Sequence, residues 1–156
     1  MLRGKGLTQT LTVPVSAGLL SNVTDYFAAL DAYRRGEPTA IIEAFATASF
    51  RAISNGEVLV NELHDLRSSW TKTVTARTDS AVWDIADLLL KQPIIDGALA
   101  SAEIGIAPNN ALRSIDRLVA SGVLTEITSY GRQRKWAAPA VLSALDDFAE
   151  RADRRG

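Results

Sequence analysis

Up to Gly122 the apolar residues of this 156-residue chain recur every three or four positions; over 123–138 they do not, and from Pro139 the period returns. That change of period constrains the fold more than any other feature, because it separates helices from a β-ribbon. Just before it, Leu112, Ile115, Leu118 and Val119 predict the buried face of a helix over 108–121. Asn109, Asn110, Arg113, Asp116 and Arg117 fall on the opposite face. Gly122 sits where a left-handed residue ends a helix. After it, Val123-Leu124-Thr125-Glu126-Ile127-Thr128-Ser129-Tyr130 has the β-branched and aromatic composition of a strand. Gly131-Arg132-Gln133 reads as a turn, and Arg134-Lys135-Trp136-Ala137-Ala138 as a second strand. Pro139 then opens a last helix with Val141, Leu145 and Phe148 inward. Arg151, Arg154 and Arg155 complement its C-terminal dipole.

Two shorter helices precede this pattern. Asp79 is the expected cap of one, which carries Val82, Ile85, Leu88 and Leu89 to Lys91 before Gln92-Pro93 closes it. Asp96 caps the other, which runs through Ala98, Leu99 and Ala102 to Gly105. The tight turn Gly105-Ile106-Ala107-Pro108 leads into the 108–121 helix. Three helices followed by a two-stranded hairpin is the order of a winged helix-turn-helix.

The first half predicts three more helices. Ser16 caps a stripe of Leu19, Val23, Phe27 and Leu30, stopped at Gly36 and Pro38. A second helix runs from Thr39 to Asn55-Gly56 with Ile41, Phe45 and Ala48 inward. A third carries Leu59, Leu63, Leu66, Trp70 and Val74, with Glu62, Asp65, Arg67 and Lys72 outward. The expected fold is thus mainly α: a three-helix N-terminal bundle over 1–78, then a winged helix-turn-helix with a two-stranded β-hairpin wing over 79–156.

Several function classes are excluded by composition. The chain has no cysteine, so disulfides, thiolate zinc sites and cysteine nucleophiles are ruled out. His64 is the single histidine and reads as a surface residue, so no metal site and no catalytic residue are assigned. No phosphate-cradling glycine motif is present, and no cofactor is expected. No apolar run reaches the roughly 20 residues of a membrane span, and the first 20 residues lack a signal-peptide layout. The expectation is a soluble, cytoplasmic protein without a membrane partner.

Binding is the better-supplied function. A recognition helix places its N-terminal residues against base edges in the major groove, where Asn pairs with adenine and Arg with guanine. Asn109, Asn110, Arg113 and Arg117 are the groove candidates, with Arg132, Arg134 and Lys135 on the hairpin for phosphates. Residues 79–156 hold nine basic and eleven acidic groups, whereas 104–138 hold five basic groups against Asp116 and Glu126, a net +3. That concentration predicts few phosphate contacts and salt-sensitive binding. The same module alternatively serves dimerisation or protein interaction.

Leu11-Thr12-Val13-Pro14-Val15-Ser16, Tyr26-Phe27-Ala28-Ala29-Leu30, Ala32-Tyr33-Arg34-Arg35-Gly36-Glu37, Ala76-Arg77-Thr78-Asp79-Ser80 and Arg132-Gln133-Arg134-Lys135-Trp136 follow one another in an order that resembles Fic (filamentation induced by cAMP) proteins carrying a C-terminal winged helix. The resemblance covers essentially the whole chain and begins after the family's catalytic loop. The family's signature, His-Pro-Phe-x-Asp/Glu-Gly-Asn-Gly-Arg, supplies the base, metal ligand and phosphate contacts for AMP transfer, and it is absent here. The resemblance therefore implies a non-catalytic C-terminal piece rather than an enzyme, with DNA binding, transcription regulation or regulatory contact as its role. It also implies, as partners, DNA, a second copy in a homodimer, or a Fic AMP-transferase catalytic unit located upstream or on another chain.

Overall fold

The computed structural model describes Leu19 and residues 23–128 and 134–153. In chain order these form α1 (Val23–Arg34), α2 (Thr39–Thr73), α3 (Ala81–Leu89), β1 (Ile94–Asp96), α4 (Gly97–Ile104), α5 (Pro108–Ala120), β2 (Thr125–Glu126), β3 (Lys135–Ala137) and α6 (Pro139–Asp153). The protein is mainly helical with a small antiparallel sheet, ordered β1-β3-β2. No helix among the described residues is long and apolar enough to cross a membrane. Two compact units emerge, one up to Val60 together with the segment from Asp147, the other spanning Asn61–Asp146.

In the first unit the expected pair of helices on either side of Asn55-Gly56 is one continuous helix, α2, so the three-helix bundle is not formed. Glycine inside a helix costs about 1 kcal/mol relative to alanine but, unlike proline, breaks no hydrogen bond. Asn55 is also held in place: its amide donates to the Phe148 carbonyl at 3.0 Å and its Oδ1 accepts from Arg151 Nε at 2.8 Å. The expected inward faces are corrected too. Val23, Phe27 and Phe45 are exposed, and the buried residues of α1 and of α2 up to Val60 are Ala29, Ala32, Ala48 and Ala52. Ala29, Ala44 and Ala48 line a cavity of about 450 Å³ with Tyr26 and Arg51. The expected cap Ser16 lies outside the described residues.

The second unit has a continuous core. Trp70 and Val74 from the end of α2 join Val82, Ile85, Ala86 and Leu89 of α3, Ile115 and Leu118 of α5, and Val123, Leu124, Trp136 and Val141. Leu63 and Leu66 pack against the same cluster. The apolar stripe from Leu63 to Val74 thus completes this core instead of a bundle in the first half. The N-cap of α3 is Ser80, whose hydroxyl accepts from Val82 N–H; the expected cap, Asp79, pairs with Arg77 at 3.4 Å. Asp96 caps α4 as the sequence suggests, its Oδ1 accepting from Leu99 N–H at 2.8 Å.

The sheet gains a strand that periodicity misses. Ile94-Ile95-Asp96 is only three residues long, yet it pairs with β3 in the register Ile94 to Ala137, Ile95 to Trp136 and Asp96 to Lys135. On the other side of β3, Thr125 pairs with Ala137 and Glu126 with Trp136. Central placement buries Trp136 fully, and its indole N–H has no acceptor among the described residues. Within the strand expected over 123–130, Val123 and Leu124 enter the core and Thr125–Glu126 form β2, while Ser129 and Tyr130, like the expected turn Gly131-Arg132-Gln133, lie outside the described residues.

Candidate nucleic-acid interface

The geometry of α5 is set at both ends. Gly105 ends α4 in the left-handed region (φ +71°), and its N–H and that of Ile106 both donate to the Ser101 carbonyl. The Ser101 hydroxyl closes the turn on the Ile106 carbonyl at 2.6 Å. At the far end Gly122 (φ +76°) donates to the Val119 carbonyl and Val123 to the Leu118 carbonyl, a Schellman termination. Between these limits α5 is anchored by Ala111, Ser114, Ile115 and Leu118. The expected face of Leu112, Ile115, Leu118 and Val119 is therefore corrected by a rotation of part of a turn: Leu112 and Val119 are exposed.

That rotation leaves the polar candidates in solvent. Asn109 and Asn110 occupy the exposed first turn, with Arg113 and Arg117 one turn apart beyond them. Neither Arg113 nor Arg117 makes an ion pair among the described residues. The N-cap, Ala107, offers no side-chain acceptor, so the first N–H groups of α5 lack side-chain capping. Asp116 shares the exposed face. Arg117 lines an open groove with Arg77, Thr73 and Ser121, which brings a basic residue from the segment before α3 towards the candidate face. Arg77 was hidden in the sequence because it stands in an interruption, far from 108–121.

The hairpin residues behave differently. Arg132 lies outside the described residues. Lys135 is exposed, and its backbone is pinned: Lys135 N–H donates to Thr128 Oγ1 at 2.8 Å and its carbonyl accepts from Ile127. Arg134 is engaged in the sheet. Its Nε and Nη2 donate to the two carboxylate oxygens of Glu126 at 2.8 and 2.7 Å, and its guanidinium carbon lies 4.9 Å from the centre of the Trp136 ring. The bidentate hydrogen bond holds the Glu126 carboxyl below its ordinary 4.5, against a smaller opposing effect of desolvation. The same bond raises Arg134, with Asp116 of α5 adding a weaker attraction. Arg134 therefore braces β2 against β3 in this structure, and the freely presented cations are Arg113, Arg117 and Lys135.

His64 is exposed on α2. Among the described residues no group of three acidic or imidazole side chains is placed to hold a metal ion. Compared with known proteins, the chain matches no family model and no curated protein.

Proposed function

We propose that the second unit is a winged helix-turn-helix that binds duplex DNA, with α5 as the helix entering the major groove and the β2–β3 ribbon beside it as the wing. One observation carries this reading: Asn109, Asn110, Arg113 and Arg117 project from one solvent-facing side of a helix whose opposite side is locked into the core. Side chains already satisfied within the protein gain little from a ligand, whereas unpaired guanidinium and amide groups on a rigid helix are ready for phosphates and base edges. The resemblance to Fic proteins, which runs along essentially the whole chain without the catalytic motif, accords with the same reading. The chain acts as a regulator and performs no AMP transfer of its own.

Three free cations set the scale of the binding. With Arg113, Arg117 and Lys135 each neutralising a phosphate, log K falls with log salt at a slope of roughly −3. Fluorescence anisotropy of a labelled mixed-sequence duplex, titrated at several salt concentrations, measures this. Arg113→Ala with Arg117→Ala is expected to weaken binding severely and flatten the slope to about −1, the share of Lys135. Glu126→Gln is expected to strengthen binding, because it removes a negative charge and releases Arg134 toward the phosphates. An absence of binding at low salt, or binding indifferent to the double substitution, overturns the proposal.

A further inference from the structure

The first unit carries a feature that DNA binding does not use. Along α2, Ile42, Ala46, Ser49, Ile53, Gly56 and Val60 follow at intervals of four and three residues, the spacing of a coiled-coil seam. Ala44, Ala48 and Arg51 face the cavity shared with α1, on the other side of the helix, and Glu43 stands at the edge between that cavity and the seam. The seam is in solvent: Ile42 is 64% exposed, Val60 61%, and the flanking Phe50 74%. Gly56 lies on it with open space where a side chain would stand.

We propose that this seam is the interface of a homodimer, in which α2 of one copy packs antiparallel against α2 of a second. A second copy fits this seam because the seam is self-complementary. Antiparallel pairing about the midpoint between Ser49 and Ile53 sets Ile42 against Val60, Ala46 against Gly56, and Ser49 against Ile53. The bulky Ile42–Val60 pairs fall at the two ends, the small Ala46–Gly56 pairs lie inside them, and at the centre each Ile53 meets the small Ser49 of the other copy. Every contact occurs twice by the two-fold axis, as an isologous interface requires. Area agrees. Ile42, Phe45, Phe50, Ile53 and Val60 present on the order of 100 Å² each, so the pair buries about 1,000 Å², the lower bound of a specific interface. The same register brings Glu43 of one copy against Glu57 of the other, a like-charge contact that keeps the dimer weak.

Sedimentation velocity of the full chain over a micromolar to millimolar series tests this without DNA, so its outcome is separable from that of the DNA titration. The expected result is a concentration-dependent dimer. Ile53→Glu is expected to weaken it at least ~10-fold, with helical circular dichroism unchanged because the site is exposed. Phe50→Ser serves as a second variant at a still more exposed position. Glu43→Lys is expected to tighten the dimer by about 3- to 10-fold, since it converts two repulsions into two attractions. A monomer at all concentrations, a dimer untouched by Ile53→Glu and Phe50→Ser, or a dimer loosened by Glu43→Lys overturns the proposal.

Discussion

The two units bury opposite kinds of residue. In the second, Trp70, Trp136, Ile85, Leu89, Ile115 and Leu118 are all inside, and the large apolar residues left exposed, such as Leu112 and Val119, are only partly so. In the first, the buried side chains of α1 and of α2 up to Val60 are alanines, while Phe27, Ile42, Phe50 and Val60 are in solvent. Burial stabilises at roughly 25 cal/mol per Å², so an alanine-lined unit gains little from its own interior. The second unit is folded by its core. The first depends on helix continuity through α2 and on whatever covers its outer face. Binding chemistry divides along the same line, polar groups projecting from the well-packed unit and apolar ones from the other.

Truncation should expose this contrast most strongly. Ile115→Ala or Leu118→Ala in the second unit is expected to cost about 2–5 kcal/mol, the range for fully buried aliphatics. Phe50→Ala in the first, a larger deletion, is expected to change the stability of the monomer by no more than about 0.5 kcal/mol. Urea unfolding at low protein concentration checks both. Equal losses at the two sites would show that the first unit has an interior of its own.

How far each unit was legible from sequence follows from the same difference. In the second, caps and stops carry a specific chemistry: Asp96 at an N-cap, Gly105 and Gly122 at positive φ, Pro139 at the start of α6. Each appears in the structure where the sequence put it. In the first, the pattern rule assumes that large apolar residues point inward; Val23, Phe27 and Phe45 point outward instead, while the small Ala48 of the same expected face is buried as the spacing suggests. Asn55-Gly56 looks like a break in the sequence because its restraint comes from Phe148 and Arg151, more than ninety positions away. The candidate residues of α5 were legible because the hydrophilic face of an amphipathic helix survives a small rotation. The engagement of Arg134 was not, since its partner Glu126 lies eight residues upstream, across the ribbon.

Two glycines offer a comparison of intermediate size. Gly105 needs its positive φ to turn α4 into α5, so Gly105→Ala is expected to destabilise by about 1 kcal/mol even though a methyl group there meets nothing. Gly56 is helical with equally open surroundings, so Gly56→Ala in the Ile53→Glu background is expected to stabilise by up to about 1 kcal/mol. Opposite signs in thermal unfolding sharpen the distinction between a glycine held by backbone conformation and one that is not. A stabilising Gly105→Ala would mean that the α4–α5 turn tolerates another geometry.

The smallest effect concerns the Glu126–Arg134 pair, which is exposed and screened by solvent. Because the carboxyl of Glu126 is held below its ordinary 4.5 in the folded protein, the unfolded chain binds its proton first as pH falls. The pair's contribution to stability is therefore fully present above about pH 4.5 and is lost as pH drops through the lower folded value. Glu126→Gln removes the titrating group, so the stability difference between wild type and variant should narrow with acidification below that point. Chemical denaturation at stepped pH, paired with a carboxyl NMR titration, reads the change. A Glu126 resonance that titrates at or above its ordinary value would show that Arg134 is released in solution. The ribbon would then add a fourth cation to the proposed DNA-binding surface, and the salt slope expected from three would steepen by about one unit.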